Sequence, residues 1–203
     1  MRTDTRSYNL LKSKIQATLK ACPGLWSEIV EYSEEIKLGR GMELENHFES
    51  SKCIYFIVKG SFECSIKRKQ HSDSLVWFFF DDMFDVIVGI DGQNVKGKTV
   101  YKIIAMEPSI VIKFEADKVD SWRSVHQAFD KFHHMEKLSW FFNYFEIRNN
   151  LSALTALEFI DYLEFNYPIL LKRVSSHKLA RFMGITPEWL SKLKRRKPLV
   201  PAR

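Results

Sequence analysis

The chain has 203 residues, 45% of them apolar and 14% aromatic, which is enough for one large or two modest cores and excludes a disordered chain. Its longest apolar runs, Cys53 to Val58 and Val76 to Phe80, are strand-length, and Met1-Arg2-Thr3-Asp4 has no apolar leader, so a soluble cytoplasmic protein without membrane attachment is expected. The net charge of +6 is unevenly placed: residues 1–170 hold 21 Lys and Arg against 24 Asp and Glu, whereas 171–203 hold 10 against the single Glu188. A mildly acidic body with a basic end fits a terminal nucleic-acid-binding module, although a solvated basic tail has the same charge.

In chain order, Leu10, Leu11, Ile15 and Leu19 fall at helical spacing. Cys22-Pro23-Gly24 breaks that pattern, and a second short helix is expected from Leu25 to Tyr32. From Ile36 to Phe114 the texture becomes β-branched and aromatic, cut by turn groups such as Gly39-Arg40-Gly41, Lys59-Gly60, Asp81-Asp82 and Glu107-Pro108-Ser109. Short strands at such spacing predict an antiparallel sandwich or barrel. Cys22, Cys53 and Cys64 lack metal-ligand pairing and read as reduced, mostly buried thiols. His126, His133 and His134 have no acidic or cysteine partner at ligand spacing, so no metal site is expected.

From about Val125 to Leu151 there is neither Gly nor Pro, and apolar residues recur at three and four, which predicts one long helix. Its stripe of Phe129, Phe132, Leu138, Phe141, Phe142 and Phe145 suits either a core face or pairing with a second copy. A further helix is expected from Ala153 to Phe165, ending before Asn166-Tyr167-Pro168.

The segment Ser176 to Lys197 carries the most specific signal. Leu179, Phe182 and Met183 lie on one face of a first short helix, and Ala180 is small where two helices must cross. Gly184 supplies a positive φ, Thr186 an N-cap and Pro187 a first helical residue. Leu190 and Leu193 then pack back, leaving Glu188, Ser191, Lys192 and Arg195 outward. This is the pattern of a helix-turn-helix whose second helix enters the DNA major groove, and it makes Thr186, Glu188, Ser191, Lys192, Lys194, Arg195 and Arg196 the candidate DNA contacts. A plain helical hairpin with a basic solvated face is the alternative.

Gly92 to Thr99 fits the spacing G-x-x-x-x-G-K-T of a phosphate-binding loop, but Val100-Tyr101-Lys102-Ile103-Ile104 continues as a strand where that mechanism needs a helix. A loop between antiparallel strands is the reading that follows. No paired carboxylates or nucleophile–base spacing marks a catalytic site, and no enzyme is expected.

Taken in order, Gly41, the run Ile54 to Gly60, Trp77-Phe78-Phe79-Phe80 before its acidic turn, Ile104 to Ser109, Tyr162 to Pro168 and the helix-turn-helix resemble the Crp/Fnr family of bacterial regulators, over nearly all of Ile36 to Lys197. The resemblance implies an α+β chain: an antiparallel cyclic-nucleotide-binding-like jelly roll at 1–124, a long dimerisation helix at 125–151, and a DNA-binding domain at 152–203. It also implies a homodimer on double-stranded DNA, controlled by a small-molecule effector in the β domain.

Two departures narrow that expectation. The family's Gly-Glu and Arg-Ser or Arg-Thr pairs for a cyclic nucleotide are missing; Asp85 and Val86, with Lys98 and Thr99, occupy the corresponding stretch. An ammonium does not reproduce a bidentate guanidinium clamp, which argues against cyclic AMP and leaves both cofactor and effector unnamed. Only Pro198 to Arg203 follow the second helix, so the family's β-hairpin wing is expected to be short or absent. A small-molecule-binding signalling module with a vestigial DNA-binding end is the second reading.

Overall fold

The computed structural model describes residues 6–44, 53–66, 73–83, 85–88 and 101–196, apart from the side chains of Val88 and Arg196. The candidates Lys98 and Thr99, the loop Gly92 to Thr99 and the segment Pro198 to Arg203 lie outside them. The chain divides into two compact units, 1–139 and 140–203.

The first unit opens with helices α1 (Arg6–Lys14), α2 (Gln16–Ala21) and α3 (Leu25–Glu31). Gly24, at φ 87°, makes the left-handed turn into α3 after Pro23 has ended the preceding run. Tyr8, Leu11 and Ile15 form the buried stripe, whereas Leu10, expected on the same side, is 43% exposed. A stripe at three and four through Leu11 and Ile15 turns the residue before Leu11 to solvent.

Among the described residues seven strands follow: β1 (Ser33–Leu38), β2 (Cys53–Lys59), β3 (Ser61–Ile66), β4 (Ser74–Phe80), β5 (Val86–Val88), β6 (Tyr101–Ala105) and β7 (Ser109–Glu115). They form two antiparallel sheets, in the orders β1-β7-β2-β5 and β4-β3-β6. Strand β2 is apolar on both sides because its sheet is covered on both faces. Phe56 joins Ile112 and Phe114 of β7 in a cluster with the N-terminal helices, while Tyr55, Ile57 and Val111 point the other way and are also buried.

Gly60 passes the chain from β2 to β3 at φ 110°, and a Cβ there would stand 2.1 Å from the Ser109 Oγ. Its N–H donates to Asp81 Oδ2 at 2.8 Å, tying this turn to the acidic one after β4. The turns expected at Lys59-Gly60 and Asp81-Asp82 therefore close on each other.

Helix α4 (Ala116–Val125) follows β7 directly, where the sequence reading placed the onset of helix only near Val125. It is short and buries only Val119 and Trp122, too little to announce a period. Helix α5 (Gln127–Ala153) is the long helix. Its Phe129 is buried in the first unit's core against Trp122, with ring centroids 6.1 Å apart, and Phe132 packs on the same cluster.

The second unit contains α6 (Ala156–Asn166), α7 (Pro168–Arg173), α8 (Ser176–Met183) and α9 (Pro187–Arg196). Thr155 and Glu158 form a reciprocal capping box that starts α6. Pro168, expected only to end a helix, also starts one, because a proline at the first helical position gives up no intrahelical N–H bond. Ile147, Phe159, Leu163, Leu179, Ala180 and Leu190 are fully buried and make this unit's core.

Candidate nucleic-acid interface and ligand pocket

Helices α8 and α9 are positioned by the local chemistry expected of them. Ser175 caps α8 by accepting from the Lys178 N–H at 3.4 Å. Gly184 ends it at φ 69°, its N–H reaching the Arg181 carbonyl while the Ile185 N–H reaches that of Ala180 at 3.0 Å, a Schellman closure. Thr186 Oγ1 then accepts from the Trp189 N–H at 3.2 Å, and Pro187 opens α9. Leu190 and Leu193 are 0% and 5% exposed and hold α9 against the unit's core.

That seating fixes where the candidates fall. Glu188, Ser191, Lys192 and Arg195 recur at three and four on the face opposite the buried leucines, and Glu188, Lys192 and Arg195 are exposed. The Arg195 guanidinium donates to Ser191 Oγ at 3.1 Å, one turn back. Thr186 is exposed and engaged as the cap. Lys194 differs: its Nζ donates to Ser176 Oγ at 3.2 Å, which places it on the flank toward α8. Arg196 belongs to α9, with its side chain outside the described residues.

Trp189, 42% exposed in the first turn of α9, is a surface residue that the sequence reading passed over. Spacing alone did not reveal it, since Trp189 stands four residues before the buried Leu193 and helical periodicity puts it beside that stripe. On α5, Phe141, Phe142 and Phe145 are 50%, 62% and 53% exposed, unlike Phe129 and Phe132.

Of the effector candidates, Val86 lines an apolar pocket in the first unit, and Asp85 adjoins it only through Lys14. The pocket holds about 80 Å³ and lies on the helical side of the four-stranded sheet, between Lys14 of α1, Ile15 at the α1–α2 junction, Phe56 of β2, Val86 of β5, Trp122 of α4 and His133 of α5. At its rim the Lys14 ammonium donates to both carboxylate oxygens of Asp85, at 2.5 and 2.6 Å, and stands 3.3 Å from Glu136 of α5. Burial pushes the Asp85 carboxyl above its ordinary range, against the pull of Lys14 and with the repulsion of Glu136 adding to it. Burial also drives His133 down to about 4, so its ring is neutral at pH 7, and its Nδ1 is sealed from solvent without a hydrogen-bond partner among the described residues. The Cys64 thiol is likewise pushed up to about 12 by burial, which leaves it protonated.

No protein-family profile and no curated protein sequence matches the chain. Solved structures do match. A cyclic nucleotide-binding domain containing protein from Listeria monocytogenes is 18% identical, with 91% of this chain and 88% of that one covered at a TM-score of 0.66. A CooA mutant from Carboxydothermus hydrogenoformans is 14% identical over 96% and 85%, at 0.64. A chain from Eubacterium rectale assigned to the crp/fnr family is 10% identical over 94% and 87%, at 0.62. The fold is therefore the one the resemblance implied, an antiparallel cyclic-nucleotide-binding-type β domain with a helical C-terminal part.

Proposed function

We propose, from this fold and from the outward face of α9, that the chain is a homodimeric, cytoplasmic DNA-binding transcriptional regulator of the Crp/Fnr type. The observation that carries the reading is that Glu188, Ser191, Lys192 and Arg195 share one face of a helix whose opposite face is buried through Leu190 and Leu193. Lys192 and Arg195 supply phosphate or guanine contacts, Ser191 orients the guanidinium, and Glu188 accepts from a cytosine amino group. Thr186 fixes where the helix begins. Lys194, turned toward Ser176, serves the phosphate backbone beside α8, and Arg196 extends the basic end.

Leu138, Phe141, Phe142 and Phe145 repeat at three and four along α5, and we place the contact with the second copy there, since the rings of Phe129 and Phe132 are taken up in the first unit's core. An effector in the β domain, beside Asp85 and Val86 and with Lys98 and Thr99 as further candidates, controls DNA affinity. No helix among the described residues is long and apolar enough to cross a membrane, and no catalytic role is part of the reading. Selection of bound sequences from a random duplex library by the full chain tests it. Enrichment of a two-fold site with half-sites about 10 base pairs apart is expected, and a library that stays random overturns the reading.

A further inference from the structure

We infer that the pocket between α1, α4, α5 and the four-stranded sheet binds a small uncharged molecule through an apolar end. This deepens the effector half of the proposed function and rests on it only for the consequence of binding, not for the binding itself. The walls around the cavity present carbon: Ile15, Ile54, Phe56, Val86 and Trp122 among them. Apolar walls of this kind offer water no hydrogen-bond partners and forfeit dispersion contacts that a fitting occupant restores. A cavity of about 150 Å³ takes a benzene ring, so about 80 Å³ suits an end of about three carbons, with the rest of the ligand at the open side.

The rim decides the charge. Lys14 is the cation at the mouth, and both Asp85 and Glu136 already face it. An anionic ligand meets two carboxylates around a lysine that is already neutralised, which is a poor place for a phosphate. A cationic ligand meets Lys14. Deeper in, the neutral His133 ring and the apolar walls give an ionised group nothing to pair with. An uncharged ligand avoids each of these costs. Phe129, Phe132 and His133 of α5 line the pocket, so an occupant wedged against them bears on that helix.

The test uses the full chain with 1-hexanol, and hexylamine, hexanoate and cyclic AMP as comparators, read by thermal unfolding and by methyl NMR of the isoleucines. Hexanol at about ten times its Kd should raise Tm by about 3–6 °C and shift Ile15 and Ile54, with the charged probes moving Tm by less than about 1 °C. Val86→Phe and Ile54→Phe each fill the pocket from a half-buried position; whichever folds should lose the hexanol response. An equal response to hexanoate, hexylamine or cyclic AMP, no response to hexanol, or a response that survives in the filled variants overturns the inference. DNA affinity measured on the same proteins separates the two readings: a failed pocket with DNA binding intact removes only this inference, and the reverse removes only the DNA reading.

Discussion

Lys14 and Asp85, 71 residues apart in the chain, meet in a two-pronged ion pair, the ammonium donating at 2.5 and 2.6 Å to the two carboxylate oxygens. The side chains are 26% and 19% exposed, so the pair is poorly screened and ties α1 to the start of β5. Removing one partner leaves the other stranded. Lys14→Met should cost about 2–3 kcal/mol, because Asp85 is then half-buried beside Glu136 with no cation. Asp85→Asn should cost less, since Lys14 keeps Glu136, and the double variant should recover much of the Lys14→Met loss. Urea unfolding of the four proteins gives the coupling, and additive losses would show the pair to be inert.

Two glycines with positive φ should respond differently to alanine. At Gly184 a Cβ meets nothing within 4 Å, so Gly184→Ala carries only the left-handed backbone penalty, about 1 kcal/mol. At Gly60 the same Cβ falls 2.1 Å from Ser109 Oγ and 2.9 Å from its Cα, so Gly60→Ala should cost at least about 3 kcal/mol more. Equal losses in chemical denaturation would mean that the Gly60–Ser109 approach is not rigid.

His133 sets a pH dependence. Burial, with Lys137 and Arg123 adding to it against Asp120 and Asp130, holds its folded pKa at about 4, below the ordinary 6.5. The unfolded chain therefore takes up a proton first as pH falls, and stability is lost between about pH 6.5 and 4, then levels off. Asp85, whose folded pKa is raised, contributes a slope of the opposite sign, so the comparison must be against His133→Leu. Unfolding free energies at pH 7 and 4.5 should fall more steeply for the native chain than for the variant. Parallel slopes would place the imidazole in water.

Thr155→Ala removes the side chain that accepts from the Glu158 N–H at 3.4 Å and donates to Glu158 Oε2 at 2.7 Å. A loss of about 1 kcal/mol in the second unit is expected, read by hydrogen exchange in α6, and unchanged exchange there would count against the cap.

How much was legible in the sequence follows from how local each signal is. The α8–α9 turn could be read residue by residue, because Gly184, Thr186, Pro187 and the two leucines act within a few positions of one another. Helices α4 and α7 were missed because one buries only Val119 and Trp122 and the other spans six residues. The pocket was out of reach for a different reason: its lining comes from α1, three strands and three further helices, and no spacing along the chain brings Lys14 to Asp85. Phe129 and Phe145 look alike in an aromatic stripe, and only the core around Trp122 separates the buried one from the exposed one.

The central claim is that α9 presents Lys192 and Arg195 to DNA. It is tested most directly by fluorescence anisotropy of the native chain and of Lys192→Ala/Arg195→Ala on the selected duplex across a salt series. The double variant should bind at least about tenfold more weakly, with the slope of log affinity against log salt smaller by about 2, one for each lost phosphate contact. An unchanged affinity and slope in a variant with native circular dichroism would contradict the assignment of that face.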